Sequence, residues 1–189
     1  MAKVDNQKVI TNLVRFSYVH VFEPWGLDDD DDNKRYQLAL LIPKSDKETI
    51  RCIKEAIENA KAYGKTSVWK NKIPDKLEIA FYDGDDKADE HPEYEGMMYT
   101  SAKNTRKPEV VDLYNRPIDD PEEFYSGCWG RASIEFYPYD YHGKKGVACS
   151  LHNLQKVKDD TRFGASISTA TEDFDDDFTE KYEDDEFAM

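Results

Sequence analysis

The pattern of apolar and polar positions predicts that the chain begins with two strands. Residues 9–22 are rich in β-branched and aromatic side chains with partial alternation, which predicts one long strand. A second strand is predicted over residues 35–42, which are too apolar to be exposed on both faces, and Pro43 ends it. The run of aspartates between them, residues 28–32, is expected to form an exposed turn.

A helix is the next predicted element, from about Asp46 to Tyr63. Ser45 and Glu48 fit a capping box, in which the serine hydroxyl and the glutamate carboxylate accept hydrogen bonds from the first free backbone N–H groups. Gly64 stands where a C-terminal cap is expected. Apolar residues recur between these ends at helical spacing, at Ile50, Ile53, Ile57 and Ala60.

The second half of the chain predicts further strands and a long hairpin. Strands are predicted over residues 76–84 and 97–103, with an exposed loop over residues 83–95. The hairpin has arms at residues 128–141 and 146–157. This order of elements predicts a mainly β protein, a small antiparallel barrel with one packed α-helix.

Apolar periodicity ends after Phe163 and Gly164, and the chain then becomes acidic. Of the nineteen residues from Thr171 to Met189, ten are Asp or Glu and one is Lys. Such a segment cannot bury enough apolar surface to fold alone. We therefore expect a folded domain over residues 1–167 and a disordered acidic tail over residues 168–189.

The net charge of −14 is unevenly distributed along the chain. The tail contributes −9, residues 28–32 contribute −5 and residues 83–95 contribute −6, which leaves +6 for the remainder. The protein is thus a mildly basic body with acidic insertions, a segregation typical of proteins with an interaction tail. The overall negative charge does not exclude nucleic acid as a partner.

The sequence gives no sign of a membrane or secretory protein. Its apolar runs are far shorter than the roughly 18 residues of a membrane span, and its start lacks the basic-then-apolar pattern of a signal peptide. The cysteines, Cys52, Cys128 and Cys149, are far apart and form no paired motif. We expect no membrane association, no zinc site, no disulfide framework and a cytoplasmic location.

The sequence contains none of the common nucleotide-binding, hydrolase or metallopeptidase motifs. We therefore expect no enzymatic activity, no cofactor and no metal. Asp83, Asp85 and Asp86 could in principle bind two metal ions for phosphodiester cleavage. Such a site needs acids that converge from rigid elements, whereas these are predicted in one loop. A metal-dependent nuclease is kept as a less favoured alternative.

Basic residues interleaved with aromatic residues form the main candidate site. Single-stranded DNA exposes flat bases, which stack on rings, and phosphates, which attract cations. The rings could instead fill the interior of the barrel, as they would in any β protein of this composition. The predicted DNA-binding residues are Lys65, Trp69, Lys72, Tyr99, Lys103, Arg106, Lys107, Arg131, Tyr137, Tyr139, Tyr141 and Lys144.

Three segments and the acidic tail resemble a known family. The segments are GKTSVWKNKIPDKLE, DGDDKADEHPEYEGMMYTSAKNTRKPEVVD and EFYSGCWGRASIEFYPYDYHGKKGVACSLHNLQKVKDDTRFG. They resemble the phage and prophage single-stranded-DNA-binding proteins first catalogued as a domain of unknown function, similar in architecture to the acidic-tailed replication proteins of tailed phages. The resemblance implies an OB-fold, no enzymatic activity and a role in phage replication or recombination inside a bacterial host.

The leading hypothesis is a sequence-independent single-stranded-DNA-binding protein with a tail that both competes with DNA and recruits partners. Carboxylates resemble phosphates and rings resemble bases, so the tail could bind the domain's own groove or a phage or host replication or recombination protein. The alternatives are an acidic DNA mimic and a tail that serves solubility alone; a homodimer is left open. The predicted partner-binding residues are Phe174, Phe178, Tyr182, Asp184, Asp185 and Phe187.

Overall fold

The computed structural model describes residues 1–164 and confirms a mainly β protein with one α-helix. The tail predicted over residues 168–189 lies outside this described part. Short 3-10 helices lie in the loops at Asp31–Asn33, Gly84–Lys87 and Pro92–Tyr94. In chain order the other elements are β1 (Lys3–Asp5), β2 (Lys8–Ile10), β3 (Val14–Trp25), β4 (Arg35–Pro43), α1 (Lys47–Ser67), β5 (Glu78–Ile79), β6 (Tyr82–Asp83), β7 (Met97–Asn104), β8 (Glu109–Val111), β9 (Trp129–Tyr141) and β10 (Lys144–Lys158).

Five of these strands close into a barrel, in the order β3, β4, β7, β10 and β9, with β9 pairing back onto β3. Neighbouring strands are antiparallel except β7 and β10, which run parallel. The barrel is therefore antiparallel, as predicted, apart from this one parallel pairing. A small five-stranded barrel of this kind is the OB-fold, as predicted.

The inward-facing residues of the barrel form one apolar core together with the helix. In β9 the even-numbered residues from Gly130 to Pro138 are buried, whereas the odd-numbered residues are half-buried or exposed. Side chains alternate between the two faces of a strand, so Phe136 enters the core while Tyr137 points outward. The same alternation places three tyrosines, at positions 137, 139 and 141, on the outer face of the barrel.

The first predicted strand is divided into β2 and β3. Both strands pair with β9, at Ile10↔Ser133 and Val14↔Gly130. Between them the chain departs from the sheet at Thr11, whose buried hydroxyl accepts a hydrogen bond from the backbone N–H of Ala132 at 3.0 Å. The apolar pattern continues through this interruption, which is why it predicted a single strand.

The helix is longer than predicted, and its ends differ. Asp46, not Ser45, is the N-cap, because its carboxylate accepts the backbone N–H of Thr49 at 3.1 Å. Gly64 is buried within the helix and does not end it, since the helix continues to Ser67. Within residues 1–164, the structure has no helix long and apolar enough to cross a membrane.

Gly64 is required by a close approach between the helix and the barrel. A Cβ atom at this position would lie 2.6 Å from Cβ of Pro138 and 2.8 Å from the ring of Trp69. Glycine inside a helix costs about 1 kcal/mol relative to alanine, so its presence here reflects packing and not propensity.

We expect Gly64→Ala to destabilise the protein even though alanine is the better helix former. The added methyl group would overpack the contact with Pro138 and Trp69, at a cost of roughly 1–3 kcal/mol in the free energy of unfolding. Urea denaturation followed by circular dichroism measures this loss. Lys54→Ala, on the exposed face of the same helix, is the control and should change stability by less than about 0.5 kcal/mol. A Gly64→Ala variant as stable as the parent would contradict the packing argument.

Candidate nucleic-acid interface

A groove crosses the outside of the barrel over β7, β9 and β10. Its central part has a volume of about 600 Å³. It continues on one side into a cavity of about 840 Å³, which shares Tyr82, Tyr139 and Tyr141 with it. On the other side it continues into a cavity of about 250 Å³, which shares Lys103. We call this surface the tyrosine groove, since its central part is lined by Tyr82, Tyr99, Tyr137, Tyr139 and Tyr141.

The floor of the tyrosine groove is made by alternate residues of β7. Tyr99, Ser101 and Lys103 line the groove, whereas Thr100 and Ala102 between them are fully buried. The spacing follows from the two-residue period of a strand. Prediction of β7 from the sequence was therefore sufficient to place a ring and a cation on the same face.

The side formed by the hairpin depends on small residues in β10. Tyr137 lies opposite Ala148 and Tyr139 lies opposite Gly146. A Cβ atom on Gly146 would lie 2.7 Å from the hydroxyl oxygen of Tyr139 and would also overlap the backbone oxygen of Glu78. The absence of a side chain at Gly146 therefore leaves space for the ring of Tyr139.

Tyr82 and Lys87 line the opposite side of the groove, and we call the segment that carries them, residues 82–87, the wall. The ring of Tyr82 lies 5.2 Å from the ring of Tyr99, centroid to centroid. Lys87 places its Nζ 4.7 Å from the centroid of the Tyr99 ring. The region predicted as an exposed loop thus has a folded inner part, in which Gly84 and Tyr94 are buried.

The phenols of Tyr82 and Tyr137 are neutral at physiological pH. Burial, together with the neighbouring Glu78 carboxylate, raises the pKa of Tyr82 to about 12. Its hydroxyl donates a hydrogen bond to Oε1 of Glu78 at 3.2 Å. Burial also raises the pKa of Tyr137. A neutral ring can stack on a base without repelling the adjacent phosphates.

Trp25 adds a ring at the end of the groove near Lys103. Its indole stacks on the imidazole of His20, with centroids 5.0 Å apart and planes inclined by 16°. Trp25 is 43% exposed, and it lines the same small cavity as Arg35, Gln37 and Lys103. Burial lowers the pKa of His20, so this platform is neutral at pH 7.

Lysines surround the rings. Lys76, Lys144 and Lys145 line the larger cavity, and Lys87 and Lys103 line the central part. Acidic residues also border the groove, with Asp75 and Glu78 at one end and Asp28 at the other. Cations therefore lie along the length of the groove, and the acids are concentrated towards its ends.

The structure brings together half of the predicted DNA-binding residues. Sequence reasoning missed Trp25, Arg35, Lys76, Tyr82, Lys87 and Lys145. Tyr82 lies in a predicted strand and Lys145 in the predicted hairpin turn, which were usable signals; Lys87 is concealed within an acidic segment. The predicted residues that line the groove or the cavity beside it are Tyr99, Lys103, Tyr137, Tyr139, Tyr141 and Lys144.

Trp69 was wrongly predicted to stack on bases, and Arg131 lies away from the groove. Trp69 is only 4% exposed and packs in the core, where its indole N–H donates to the backbone oxygen of Tyr139 at 3.1 Å. Arg131 lies near the other end of β9, and its guanidinium donates to the backbone oxygens of Thr11 and Met1 at 2.9 and 3.1 Å. Both side chains support the fold and are not presented to a ligand in the groove.

The remaining predicted cations lie outside the lining of the groove. Lys65 and Lys72 are exposed, in the last turn of α1 and just after it. Arg106 and Lys107 follow the end of β7, where the guanidinium of Arg106 donates to Oδ1 of Asn153 at 3.3 Å. That these four residues contact DNA stays a prediction.

Two of the three aspartates considered for metal binding contact a lysine. Nζ of Lys44 lies 2.7 Å from Oδ1 of Asp83 and 2.5 Å from Oδ2 of Asp85. Across residues 1–164, no three His, Cys, Asp or Glu side chains are grouped where they could hold one metal ion. The tail residues Phe174, Phe178, Tyr182, Asp184, Asp185 and Phe187 lie outside the described residues.

Comparisons with known proteins identify relatives among bacteriophage proteins. The family model described as the single-stranded-DNA-binding protein of Enterobacter phage Enc34 matches residues 7–188. A protein described as putative protein p50, from Acyrthosiphon pisum secondary endosymbiont phage 1, is 34% identical over 179 residues, which cover 89% of this chain and 93% of that protein.

Solved structures show the same relationship. The single-stranded DNA-binding protein from bacteriophage Enc34, in complex with ssDNA, is 30% identical, with 86% of this chain and 96% of that chain covered and a TM-score of 0.73. The single-stranded DNA binding protein gp2.5 of bacteriophage T7 is 18% identical, with 88% and 92% covered and a TM-score of 0.61. The second similarity shows the fold alone.

We expect substitutions of Tyr137 and of Trp69 to have opposite consequences. Tyr137→Ala should weaken binding of single-stranded oligonucleotides by roughly 1–3 kcal/mol and leave the melting temperature nearly unchanged, because this ring is 42% exposed in the groove. Trp69→Ala should cost roughly 3–5 kcal/mol of unfolding free energy, because this ring is in the core. Fluorescence anisotropy and thermal melts measure the two effects. An early-melting Tyr137→Ala variant that binds normally once folded would show that this ring is structural.

Proposed function

This chain belongs to the family of the Enterobacter phage Enc34 single-stranded-DNA-binding protein, and we propose that it binds single-stranded DNA in the tyrosine groove. The observation that carries the proposal is the convergence of five tyrosines from β6, β7 and β9 on one groove with lysines along it. Unpaired bases would stack on the exposed faces of the rings, and Lys87, Lys103 and Lys144 would contact the phosphates.

Binding of this kind is independent of sequence. Every base has a flat face, so a stacking platform accepts all four, and the lysines contact the backbone that all sequences share. A paired duplex does not offer its base faces to the rings, because they are stacked on one another. The groove therefore favours single strands, and we propose that the protein has no enzymatic activity.

We further propose that the protein coats unwound DNA during phage replication or recombination in the infected bacterial cell. The family supports this role, because its members come from bacteriophages. The acidic DNA mimic is disfavoured, since a mimic presents acids on its folded surface, whereas this surface presents rings and lysines in one groove. Asp83 and Asp85, which could have served mimicry or metal binding, are engaged by Lys44.

A gel-shift experiment separates the three hypotheses. The full chain is mixed with oligo-dT or with duplex DNA, each with and without magnesium. We expect a shift of oligo-dT that does not depend on magnesium and a much weaker shift of the duplex. Absence of any shift would favour a DNA mimic, and shortening of the oligonucleotide with magnesium would indicate a nuclease.

Salt dependence tests whether the groove lysines contact phosphates. If about five cations do so, the slope of log affinity against log salt concentration should be roughly −3.5. Lys103→Gln should make this slope shallower by about 0.7, the contribution of one phosphate contact. Lys54→Gln removes an exposed cation of α1 outside the groove and is the matched control, because Lys54 is not among the predicted DNA-binding residues. An equal change of slope in the two variants would show that binding does not depend on the groove.

For the tail, we propose that residues 168–189 compete with DNA for the groove and recruit a replication or recombination protein when DNA displaces them. Asp160 holds the chain to the barrel just before the described residues end at Gly164. Its carboxylate accepts the Trp129 indole N–H at 2.8 Å and lies 3.5 Å from the Arg15 guanidinium. From there, the 25 residues after Gly164 span at most about 90 Å, enough to reach any part of the barrel. Tethering gives a segment of this kind an effective concentration on the order of millimolar.

Deletion of residues 171–189 should tighten binding to single strands, most at low salt, where the charge of the tail is least screened. The same deletion should abolish partner recruitment and leave the fold intact. Replacing Phe174, Phe178, Tyr182 and Phe187 together by Ser separates the rings from the charge. If that variant recruits partners as the parent does, the rings are incidental and the tail acts through its acids alone.

A further inference from the structure

We infer that Lys44 positions the DNA-binding wall, by clamping Asp83 and Asp85 to the end of barrel strand β4. Because the wall matters only if the groove binds DNA, this inference rests on the proposed function. It assigns a role to the acidic cluster that the sequence suggested for metal binding. In this role the acids next to the groove favour DNA binding, although their charge alone would oppose it.

The clamp joins three parts of the chain. Nζ of Lys44, the residue after β4, lies within 2.7 Å of the Asp83 carboxylate and 2.5 Å of the Asp85 carboxylate. The backbone N–H of Lys44 donates to the oxygen of Gly96 at 3.0 Å, and the N–H of Gly96 donates to Oδ1 of Asp85 at 2.8 Å. Together, the ion pairs and backbone hydrogen bonds tie the end of β4 to both ends of the segment from Asp83 to Gly96.

The clamped residues stand between the two side chains that contact Tyr99. Tyr82 immediately precedes Asp83, and its ring lies 5.2 Å from the ring of Tyr99. Lys87 follows Asp85 by two residues, and its Nζ lies 4.7 Å from the same ring. A shift of Asp83 and Asp85 away from Lys44 would therefore move one wall ring and one wall cation together.

Other interactions hold the wall only weakly. β6 is two residues long and pairs with β7 only at Tyr82↔Tyr99 and Asp83↔Met98. The following 3-10 helix has four residues, and Gly84 is its buried residue. A segment with so little apolar burial is expected to open locally at low energetic cost. Its position near Tyr99 thus depends strongly on the ion pairs.

The geometry also explains why Lys44 is not itself a phosphate ligand. Its ammonium group donates to two carboxylates, and only 33% of its side chain is exposed. The hydrogen bond from Lys44 lowers the pKa of Asp83 and that of Asp85, so both carboxylates are ionised at neutral pH. The positive charge is neutralised within the clamp and is not directed into the groove.

Substitution of the acids tests the clamp, because the clamp predicts weaker DNA binding whereas simple charge removal predicts stronger binding. Removing a negative charge beside a DNA groove normally strengthens binding, because it reduces repulsion of the phosphates. Asp83→Asn and Asp85→Asn remove the charge but keep an amide oxygen that can accept the backbone N–H of Asp85 and of Gly96, the bonds now made by each Oδ1. Lys44 contacts Oδ2 of Asp85, which asparagine replaces by an amide NH2 group, and Oδ1 of Asp83, which asparagine keeps. We therefore expect both variants to bind oligo-dT more weakly, on the order of tenfold for Asp85→Asn, equivalent to most of one base–ring stack, and less for Asp83→Asn.

Asp86→Asn is the matched control. Asp86 lies in the same 3-10 helix and is exposed, and the clamp does not include it. This variant removes the same charge from the same 3-10 helix and should bind as the parent does or slightly more tightly. The experiment uses the full chain and measures anisotropy of a labelled oligo-dT of roughly 20 nucleotides, longer than the site of one OB-fold.

Substitution of the lysine separates positioning from direct contact. Lys44→Gln should weaken binding without changing the salt slope, whereas loss of a direct phosphate contact would make the slope shallower by about 0.7. Lys44→Arg, which can still bond both carboxylates, should restore most of the affinity. Thermal melts should show that all variants remain folded at the temperature of the assay.

The outcomes keep the inference distinct from the proposed function. A parent protein that fails to bind oligo-dT overturns the proposed function. A parent that binds, with Asp83→Asn and Asp85→Asn variants that bind equally well or more tightly, overturns the clamp alone. A Lys44→Gln variant with a shallower salt slope would make Lys44 a phosphate ligand and would also overturn it. If the Asn variants melt below the assay temperature, Lys44→Arg and Lys44→Gln decide by the same criteria.

Discussion

The structure depends on the register between β9 and β10. Tyr137 faces Ala148 and Tyr139 faces Gly146 in this pairing, so outward rings on one strand meet small residues on the other. The inward residues of the same strands fill the barrel. A slip of one residue would exchange the two faces of β9, sending tyrosines into the core and Phe136 into solvent. The same alternation of inward and outward side chains along β9 therefore specifies both the core and the candidate site.

Buried side chains support the groove from behind. The indole N–H of Trp69 donates to the backbone oxygen of Tyr139, which fixes the strand that carries the ring. Gly64 allows the helix to approach Pro138, the residue just before Tyr139 in β9. On β7, the hydroxyl of Thr100 donates to the oxygen of Ala80 at 2.5 Å, beside Tyr99. The strands that carry the rings are thus fixed by contacts on their core side. This limits the conformational entropy that the rings lose when a ligand binds.

Much of the barrel could be predicted from the sequence, and the wall could not. Within the predicted strands, the two-residue period accounts for the shared outward face of Tyr99 with Lys103 and of Tyr137 with Tyr139, because strand alternation is a local property. The position of Trp69 was predicted wrongly, because burial of a ring after a helix depends on what the helix packs against, here Pro138, which Gly64 approaches closely. Most of the wall was predicted to be an exposed loop. Contacts such as that of Lys44 with Asp85 join residues 41 positions apart and leave no local pattern in the sequence.

The acids of this chain show why net charge is a poor guide to what a protein binds. In the described residues, Asp83 and Asp85 are paired with a lysine and hold a wall of the groove. The aspartates at 28–32 lie in an exposed turn beside the end of the groove, and one of them, Asp31, pairs with Lys34 at 2.9 Å. Interactions between exposed charges are largely screened beyond about 8 Å at physiological salt, so only charges near the strand of DNA act on it. For DNA in the tyrosine groove, as proposed, these charges include the lysines around the tyrosines, which makes a chain of net charge −14 compatible with a polyanionic ligand.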